Sequence, residues 1–379
     1  MTATVLAVGA WLKNAACLVL DGRVHWSPVH GDLSDPAACA ALQASVQALV
    51  QRARDEGAPV QAVAHDLHPD FFSTQLAIAT ADALTVPAIG VQHHHAHLAA
   101  VVAEHGITGP VVGLALDGVG LGSDGTPWGG ELLWLDGAQW QRLGHLQPLA
   151  LPGGDRAARE PWRMAASALH ALGRADQIAP RFGLAVGESA AAGVRQMLDK
   201  GLNCPKTSSA GRWFDAAAGA LGLCHHQHDE AQAAIALEQA AACALSVRPD
   251  LPPLAGAVQH ADGRTDLLPV LAQLFDAPDA DVAAAGFHLA LADALALALI
   301  GAARSRHTRT AVLGGGCFFN RILRDRVVRR LVAAGLTVYL PGPPGCGDAG
   351  LAIGQAWVAV QQLQTSHTQV PVEETVPCA

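Results

Sequence analysis

The sequence predicts an α/β protein made of two stacked lobes with a cleft between them. An antiparallel meander of short apolar strands opens the chain, and a second meander, with turns at matching places, begins after Pro110. Two repeats of this kind favour two packed layer structures, one for each half of the chain. We therefore expect ligands to bind in the cleft between the lobes.

Length and composition agree with a globular protein of this size. The chain has 379 residues, of which 51% are hydrophobic and 15% are charged. The formal net charge is −9 and no Lys/Arg block occurs, which disfavours binding to a nucleic-acid backbone because that needs a basic surface. Residues 1–4 lack the features of a signal peptide. The apolar stretch 287–303 contains His288 and Asp293 and is short for a membrane span, so we expect a buried helix.

The cysteines give no metal or disulfide pattern. No two of the eight form a CxxC pair, which excludes a cysteine zinc ribbon. A disulfide framework is not expected in a chain of this length, so the cytoplasm is the expected compartment. The eight are Cys17, Cys39, Cys204, Cys224, Cys243, Cys317, Cys346 and Cys378.

The first meander comprises predicted strands at residues 4–10, 16–20 and 23–26. Turns at Lys13-Asn14 and Asp21-Gly22 separate these apolar runs. The elements predicted after it are a helix near 36–56, a strand at 60–64, a helix at 71–84, a strand at 88–91 and a helix at 93–105.

We assign residues 1–110 to the first lobe and residues 111–379 to the second. An Ala- and Leu-rich stretch from 155 to about 303 is predicted to be a mostly helical insertion in the second lobe. The final helix can pack back on the first lobe, and the polar residues from 365 onward are expected to fray. The other elements predicted in this half are strands at 111–116, 131–135, 140–144, 310–313 and 336–340, and helices at 320–333 and 351–363.

The sharpest local signal is the QHHHAH motif at residues 92–97, at the start of a predicted helix. His93 and His97 are four residues apart, so their imidazoles project from one helical face and can share a metal ion. His94 and His95 point elsewhere. A polar helix start with capping histidines is the alternative interpretation, and four histidines in five positions weaken it.

Two aspartates are candidates to complete such a site. Asp117 follows an apolar strand, and Asp348 lies in a glycine-rich loop before the last helix. A set of two histidines and two aspartates suits Fe²⁺ or Zn²⁺ and leaves positions open for substrate oxygens. Taken singly, each aspartate is typical of a turn or a cap, and spacing alone does not pair either with the histidines.

Three glycine-rich loops can approach phosphate groups, at residues 117–122, 314–316 and 345–350. Backbone N–H groups at a helix start favour anions, and a helix is predicted to start near Asn320. None of the loops matches a Walker motif, and no helix opens directly after residue 122, which disfavours a Rossmann fold. Each loop alone is weak evidence, but together they fit an actin-like nucleotide cleft.

Two further polar clusters are less informative. Residues 224–229 contain three histidines, and we interpret them as an exposed loop, with metal binding as the alternative. The segment His65-Asp66-Leu67-His68 follows a buried strand, and polar residues at strand ends often face a cleft. A core or turn role explains that segment equally well.

Ordered motifs along nearly the whole chain resemble the C-terminal portion of the HypF family, the carbamoyltransferases of [NiFe]-hydrogenase maturation. More distantly, the chain is similar to the TsaD family of tRNA threonylcarbamoyl transferases and to antibiotic O-carbamoyltransferases. The resemblance implies the two-lobed sugar-kinase/actin-like ATPase (TsaD-like) fold. Its motifs occupy residues 7–9, 12–14, 31–33, 64–70, 91–97, 116–118, 124–126, 128–131, 207–212, 214–216, 314–316, 320–321, 348 and 354–355.

The resemblance also implies the ligands. It implies iron or zinc held by His93, His97 and Asp348, with Asp117 as a fourth ligand, touching the phosphates of ATP, AMP or carbamoyl adenylate. The implied nucleotide contacts are Gly118, Gly120, Ser208, Ser209, Asp215, Glu230, Gly314, Gly315, Gly316 and Asn320.

The implied reaction is attack of a thiolate on the carbamoyl carbon of carbamoyl adenylate, with AMP leaving. In the HypF system the acceptor is the C-terminal cysteine of HypE. Lys13 is predicted to neutralise developing negative charge, with a surface lysine as the alternative. His65 or His68 is predicted to help deprotonate the thiol.

The resemblance covers only part of a full HypF. We expect the acylphosphatase-like, zinc-finger and YrdC-like domains to be absent, so that carbamoyl adenylate arrives from a YrdC-like protein or a full-length HypF, or activity is lost. Gly347 and Ala349 stand where the family usually has asparagine and glycine, which puts the geometry of the Asp348 loop in doubt. Cys378 is similar in position to an acceptor cysteine, but we interpret it as part of a frayed end.

Two alternative functions stay open. One is an O-carbamoyltransferase that acts on a small hydroxylated metabolite. The other is a non-catalytic protein that binds nucleotide or HypE and regulates a full-length HypF. A tRNA-modifying role is disfavoured by the acidic charge balance.

Overall fold

The computed structural model describes residues 3–342 and 345–368, and a five-stranded sheet forms its first lobe. The elements here are β1 (Val5–Ala7), β2 (Cys17–Leu20), β3 (Arg23–Trp26), α1 (Pro36–Asp55), β4 (Ala62–Asp66), α2 (Phe72–Leu84), β5 (Ala88–Val91) and α3 (His93–Glu104). The strand order is β3-β2-β1-β4-β5. The first three strands form the predicted antiparallel meander, and β4 and β5 run parallel to β1.

A seven-stranded sheet forms the second lobe. Its strands are β6 (Val111–Leu121), β7 (Pro127–Asp136), β8 (Gln139–Leu146), β11 (Val258–Gln259), β12 (Arg264–Asp266), β13 (Thr310–Gly314) and β14 (Thr337–Tyr339), and α12 (Arg321–Ala333) connects the last two. The order is β11-β12-β8-β7-β6-β13-β14, so β6 lies beside β13 near the middle. The loops that follow these two neighbouring strands can therefore meet at one site.

The insertion between β8 and β13 is mostly helical, as predicted, and it also adds β11 and β12 to the sheet. Its other elements are β9 (Leu149–Ala150), α4 (Arg156–Arg159), α5 (Pro161–Ala171), α6 (Ile178–Val186), α7 (Glu188–Lys200), β10 (Lys206–Thr207), α8 (Ala210–Ala220), α9 (Gln232–Val247), α10 (Leu268–Leu274) and α11 (Ala280–Ser305). Helix α11 is long and apolar enough to cross a membrane, but 78% of its most apolar window is buried inside the protein. It packs as the predicted buried helix.

Helix α3 is the central layer of the molecule. Residues 93–102 are all buried, because the helix packs between the two sheets. Ala96 and Ala99 join a cluster with the first sheet, whereas Leu98 and Val101 join a cluster with β6, β7 and β13 of the second sheet. The histidines at the start of α3 therefore lie inside the protein, between the lobes.

The closing helix α13 (Leu351–Thr368) packs on the first lobe, against α3, β1 and β4. A Cβ atom at Gly354 would collide with the Ala96 carbonyl, so glycine permits the close approach of α13 to α3. The buried amide of Gln355 accepts a hydrogen bond from Gly9 N at 3.0 Å and donates one to Gly9 O at 3.2 Å. Asp348, just before α13, is thereby tied to the first lobe.

The structure corrects the predicted end of strand β6. The sequence placed a glycine-rich turn at 117–122, but the strand continues to Leu121. Its pairing with β7 shifts between Leu116 and Gly120, so residues 117–119 face only Gly129. An irregularity of this kind changes the direction of side chains without ending a strand. The prediction ended the strand too early because the glycines interrupt the apolar run. The predictions for Cys378 and for the tail beyond residue 368 lie outside the described residues.

Candidate metal centre and nucleotide cavity

Two histidines and two aspartates converge between the lobes. His93 and His97 come from the first turns of α3, Asp117 from the irregular part of β6, and Asp348 from the turn before α13. Nε2 of His93 lies 3.3 Å from Asp117 Oδ2 and 3.8 Å from Asp348 Oδ1, and Nε2 of His97 lies 3.6 Å and 3.5 Å from the same atoms. One ligand atom from each residue falls within 4.8 Å of all the others.

This donor set fits a metal ion. Bonds of about 2.1 Å in a tetrahedral zinc site place neighbouring ligand atoms about 3.4 Å apart, close to the separations found here. Nε2 of His97 is buried and makes no hydrogen bond, although buried polar atoms are normally paired. Oδ1 of Asp117 accepts a hydrogen bond from Gly316 N at 3.3 Å, which leaves Oδ2 facing the histidines. No second group of this kind occurs among residues 3–342 and 345–368.

Asp66, at the carboxyl end of β4, orients the first histidine. Its Oδ2 lies 2.7 Å from Nδ1 of His93, and its Oδ1 accepts a hydrogen bond from His68 N at 3.0 Å. Burial alone would raise the pKa of Asp66, but the neighbouring His93 outweighs it and holds the pKa below its usual value. A carboxylate behind a ligating histidine fixes the ring so that the other nitrogen faces the metal. The sequence pattern does not mark Asp66 as a site residue, although it lies in the motif at residues 64–70.

The other histidines of the QHHHAH motif belong to the core. His94 Nδ1 lies 3.0 Å from the Gln92 amide nitrogen, and its ring lies 6.1 Å from Trp128. His95 lies 5.7 Å from Trp140, and burial lowers its pKa to about 3. Both point away from the shared face of His93 and His97, as the helical spacing predicts.

A cavity of about 620 Å³ adjoins the four candidate ligands, large enough for a nucleotide-sized molecule. Asp117 and Asp348 form part of its wall, so a ligand in the cavity reaches the candidate metal centre. The lining comprises Leu12, Lys13, Asp117, Gly118, Val119, Ala158, Arg159, Gly211, Arg212, Phe214, Asp215, Gln227, His228, Asp229, Glu230, Ala231, Ala234, Ile235, Glu238, Gly316, Cys317, Phe319, Asn320, Gly347 and Asp348.

Five of the ten predicted nucleotide contacts line this cavity: Gly118, Asp215, Glu230, Gly316 and Asn320. Asn320 also caps α12, since its Oδ1 accepts a hydrogen bond from Leu323 N at 2.9 Å. His228 lies on the same wall, in the segment that the sequence predicts to be an exposed loop.

The remaining five support the wall from behind. A Cβ atom at Gly120 would lie 2.6 Å from the His93 ring, and one at Gly314 would lie 2.9 Å from the His97 carbonyl oxygen. Gly315 packs equally tightly on the backbone of β6. These glycines are needed for contacts within the protein. The Ser208 hydroxyl donates to Glu131, the Ser209 hydroxyl donates to the Gly118 carbonyl, and neither serine lines the cavity.

The residues predicted to assist catalysis separate into two places. Lys13 lies at the cavity rim, and its Nζ is 3.0 and 2.9 Å from the two carboxylate oxygens of Glu230 on the other lobe. His65 Nδ1 lies 2.7 Å from the Asp66 carbonyl oxygen, and His68 stacks on Phe71. Neither histidine lines the cavity.

An ion pair without a directed hydrogen bond lies in the cavity wall. Arg212 Nε is 2.7 Å from Asp215 Oδ2, but neither atom makes a hydrogen bond of good geometry. Burial raises the pKa of Asp215 to about 6, against the lowering effect of Arg212. Both residues belong to the lining of the cavity.

Comparison with known proteins identifies the family. A family model described as "HypF Kae1-like domain" matches residues 1–104, and one described as "Carbamoyltransferase, Kae1-like Domain, second subdomain" matches residues 113–355. The chain belongs to the HypF carbamoyltransferase family. It is 57% identical to a "Carbamoyltransferase HypF homolog" of Cupriavidus necator, over 100% of this chain and 97% of that protein. It is 47% identical to "Carbamoyltransferase HypF2" of the same organism, over 95% of this chain but 47% of that protein.

Solved HypF structures have the same fold. The crystal structure of full-length HypF in the phosphate- and nucleotide-bound form matches with a TM-score of 0.84 and 28% identity, over 96% of this chain and 47% of that one. The structure of T. kodakarensis HypF matches with a TM-score of 0.85 and 30% identity, over 96% and 48%. The chain thus spans about half the length of these HypF proteins, and the predicted HypF-like fold is confirmed.

Proposed function

We propose that this protein is a metal- and nucleotide-dependent carbamoyltransferase of [NiFe]-hydrogenase maturation. In this proposal it transfers a carbamoyl group from carbamoyl adenylate to the C-terminal cysteine thiol of HypE. The observation that carries the proposal is that His93, His97, Asp117 and Asp348 converge on one point and that the two aspartates also line a nucleotide-sized cavity. Membership of the HypF family supports the type of reaction.

The excess of negative side chains in the cavity lining indicates that a bound phosphate needs an added cation. Its lining carries six carboxylates, from Asp117, Asp215, Asp229, Glu230, Glu238 and Asp348, against the three cationic side chains of Lys13, Arg159 and Arg212. An anionic phosphate in such a wall is repelled unless positive charge is added nearby. Fe²⁺ or Zn²⁺ held by the four candidate ligands would supply that charge and act as a Lewis acid toward phosphate and carbonyl oxygens.

The residues of the chain orient the substrates. Gly118 and Gly316 bring backbone close to the ligand without a side chain, and Asp215 and Asn320 line the part of the cavity that would hold the nucleoside. The cysteine sulfur attacks the carbamoyl carbon, the new C–S bond forms, and the bond from that carbon to the phosphate oxygen breaks. AMP leaves with the electron pair, and the thiol proton is released to solvent. Lys13 at the rim stabilises the negative charge that accumulates on the leaving phosphate.

The partners follow from this reaction. Carbamoyl adenylate comes from a YrdC-like protein or from a full-length HypF, and the acceptor tail of HypE threads into the cavity past Lys13. The reaction takes place in the cytoplasm.

The test combines the purified protein, synthetic carbamoyl adenylate and HypE, and mass spectrometry of HypE follows thiocarboxamide formation. We expect modification of the C-terminal cysteine, none with a HypE variant in which that cysteine is serine, and strong loss with His93→Ala. Absence of thiocarboxamide would contradict the proposal. If HypE binds tightly without turnover, the protein is a non-catalytic partner, and if only a hydroxylated small molecule is carbamoylated, it is an O-carbamoyltransferase.

A further inference from the structure

Glu131 on β7 is a buried carboxylate outside the cavity that binds several donors at once. It is 0% exposed. Its Oε1 accepts hydrogen bonds from Gly129 N at 3.1 Å, from Gly130 N at 3.2 Å and from the Ser208 hydroxyl. Its Oε2 accepts one from Arg142 Nε at 2.7 Å. Nothing in the proposed reaction uses this carboxylate.

The partners of Glu131 hold the turn at residues 208–209 in place. Arg142 reaches Ser208 as well, with Nη2 3.3 Å from the hydroxyl, and its guanidinium lies 3.8 Å from the centre of the Trp128 ring. The hydroxyl of Ser208 is therefore fixed between a carboxylate and a guanidinium. A buried polar network in which each member is paired is rigid.

The next residue in this turn contacts the segment that carries a candidate metal ligand. The hydroxyl of Ser209 donates to the Gly118 carbonyl at 2.6 Å and lies 3.0 Å from the Asp117 carbonyl oxygen. These carbonyls lie in the stretch 117–119, which faces only Gly129 across the ladder. Without regular strand pairing, the stretch depends on such contacts for its conformation.

Gly129 on β7 packs directly against both the Asp117 segment and Ser209. A Cβ atom there would lie 2.6 Å from the Asp117 carbonyl oxygen and 3.0 Å from Ser209 Cα. The backbone of β7, the turn at 208–209 and the Asp117 segment thus lie in direct contact, and Glu131 binds the first two together.

We propose that Glu131 is a positioning residue for Asp117. It holds Ser208 and the Gly129-Gly130 backbone together, the turn then holds the Asp117 segment, and the Asp117 carboxylate is thereby directed at His93 and His97. The inference rests on the metal centre of the proposed function, and it concerns residues of the chain that make no contact with the ion.

Replacing Glu131 with glutamine tests this with minimal change in size. The carboxylate accepts from four donors, whereas an amide has one acceptor oxygen and an NH₂ group that is itself a donor. In one amide orientation the NH₂ group faces the guanidinium of Arg142, and in the other it faces the backbone N–H groups and the Ser208 hydroxyl. In both cases a donor faces a donor. Glu131→Gln therefore disturbs the network without creating a cavity.

Glu160 provides a matched control. It is also a nearly buried carboxylate of the second lobe, and it accepts hydrogen bonds from Arg156, Trp162 and Arg163. None of these partners holds the Asp117 segment. Glu160→Gln therefore reports the effect of losing a buried carboxylate network elsewhere in the same lobe.

The experiment measures Co²⁺ binding to the full chain by titration and by the visible d–d absorption of the bound ion. We expect Glu131→Gln to weaken Co²⁺ binding about tenfold or more and to change the d–d spectrum, because loss of a correctly placed outer contact alters ligand geometry. Glu160→Gln should lower the melting temperature but keep the wild-type affinity and spectrum.

Wild-type affinity and spectrum in Glu131→Gln would overturn the inference and leave the proposed function intact. Failure of the wild-type chain to bind Co²⁺ would overturn both. If circular dichroism shows that Glu131→Gln does not fold, Ser208→Ala decides by the same criteria, since it removes only the hydroxyl between Glu131 and Arg142. Wild-type Co²⁺ binding in Ser208→Ala would then reject the inference, and weaker binding with an altered spectrum would support it.

Discussion

The carboxylate of Asp66 lies 2.7 Å from Nδ1 of His93, and the carboxylate of Asp117 lies 3.3 Å from Nε2 of the same ring. The imidazole is therefore held from one side and faces the candidate metal centre with the other. An outer carboxylate in this position fixes the ring orientation and makes the ligating nitrogen more basic.

Replacement of Asp66 with asparagine should weaken metal binding about 10- to 100-fold, the usual effect of losing such a partner. Titration calorimetry with Zn²⁺ measures it. Asp70→Asn, which changes an exposed aspartate in the loop after β4, is the control and should bind like wild type. Equal affinity for Asp66→Asn and Asp70→Asn would show that His93 needs no support from behind.

The ion pair between Lys13 and Glu230 joins the two lobes at the cavity rim. Both side chains are more than half exposed, so the pair contributes little to stability, about 0–1 kcal/mol. We expect Lys13→Ala to weaken AMP binding several-fold in the presence of metal while the melting temperature stays nearly unchanged. Glu230→Gln should bind AMP as well as or better than wild type, because a carboxylate near the phosphate is removed. Unchanged AMP affinity in Lys13→Ala would exclude a role for this cation in binding.

Asp215 should make stability depend on pH in a defined direction. Its pKa in the folded protein is raised to about 6 by burial, above the ordinary 3.8, so the folded state binds the proton more tightly. The contribution of this group to stability is present below about pH 4 and is lost as the pH rises through 6. Asp215→Asn removes this loss of stability, because an asparagine side chain does not ionise. The unfolding free energy of the variant relative to wild type should therefore increase between pH 4 and pH 7 by up to about 3 kcal/mol.

Urea unfolding of both proteins across this pH range measures the effect. Most other titrating groups are shared by the two proteins, so their effects largely cancel in the difference. Parallel stability curves for wild type and Asp215→Asn would contradict the raised pKa.

The amide of Gln355 should matter for stability because it binds both backbone groups of Gly9. Gln355→Leu leaves a buried N–H and a buried carbonyl without their partner, which costs about 1–3 kcal/mol for each group. Urea unfolding should show a loss of about 2–5 kcal/mol. Gln361→Leu, on the same helix but partly exposed, should change stability by less than about 1 kcal/mol. Similar losses in both variants would show that the hydrogen bonds to Gly9 do not account for the loss of stability in Gln355→Leu.

Local spacing predicted the half of the metal centre that one helix provides. His93 and His97 share a face because they are one turn apart, and no tertiary contact is needed to know it. Asp117 and Asp348 join them only through an irregular strand and through α13, which returns to the first lobe from the other end of the chain. Such long-range contacts leave no periodic signal, and only the family resemblance could supply them.

The glycine-rich loops predicted only some of the residues that line the nucleotide cavity. A glycine is required wherever backbone approaches closely, whether the neighbour is a phosphate or another strand. Gly118 and Gly316 line the cavity, whereas Gly120 and Gly314 pack on α3. Asp66 was missed because a polar residue at a strand end is equally compatible with a turn, and its partner His93 is 27 residues away.

Metal analysis of the purified protein, by mass spectrometry of the elements, tests the central claim most directly. The four-residue site predicts about one equivalent of iron or zinc per chain, lost in a folded His93→Ala/His97→Ala double variant. An unchanged metal content in that variant, or a folded wild-type protein that neither contains nor takes up iron or zinc, would contradict it.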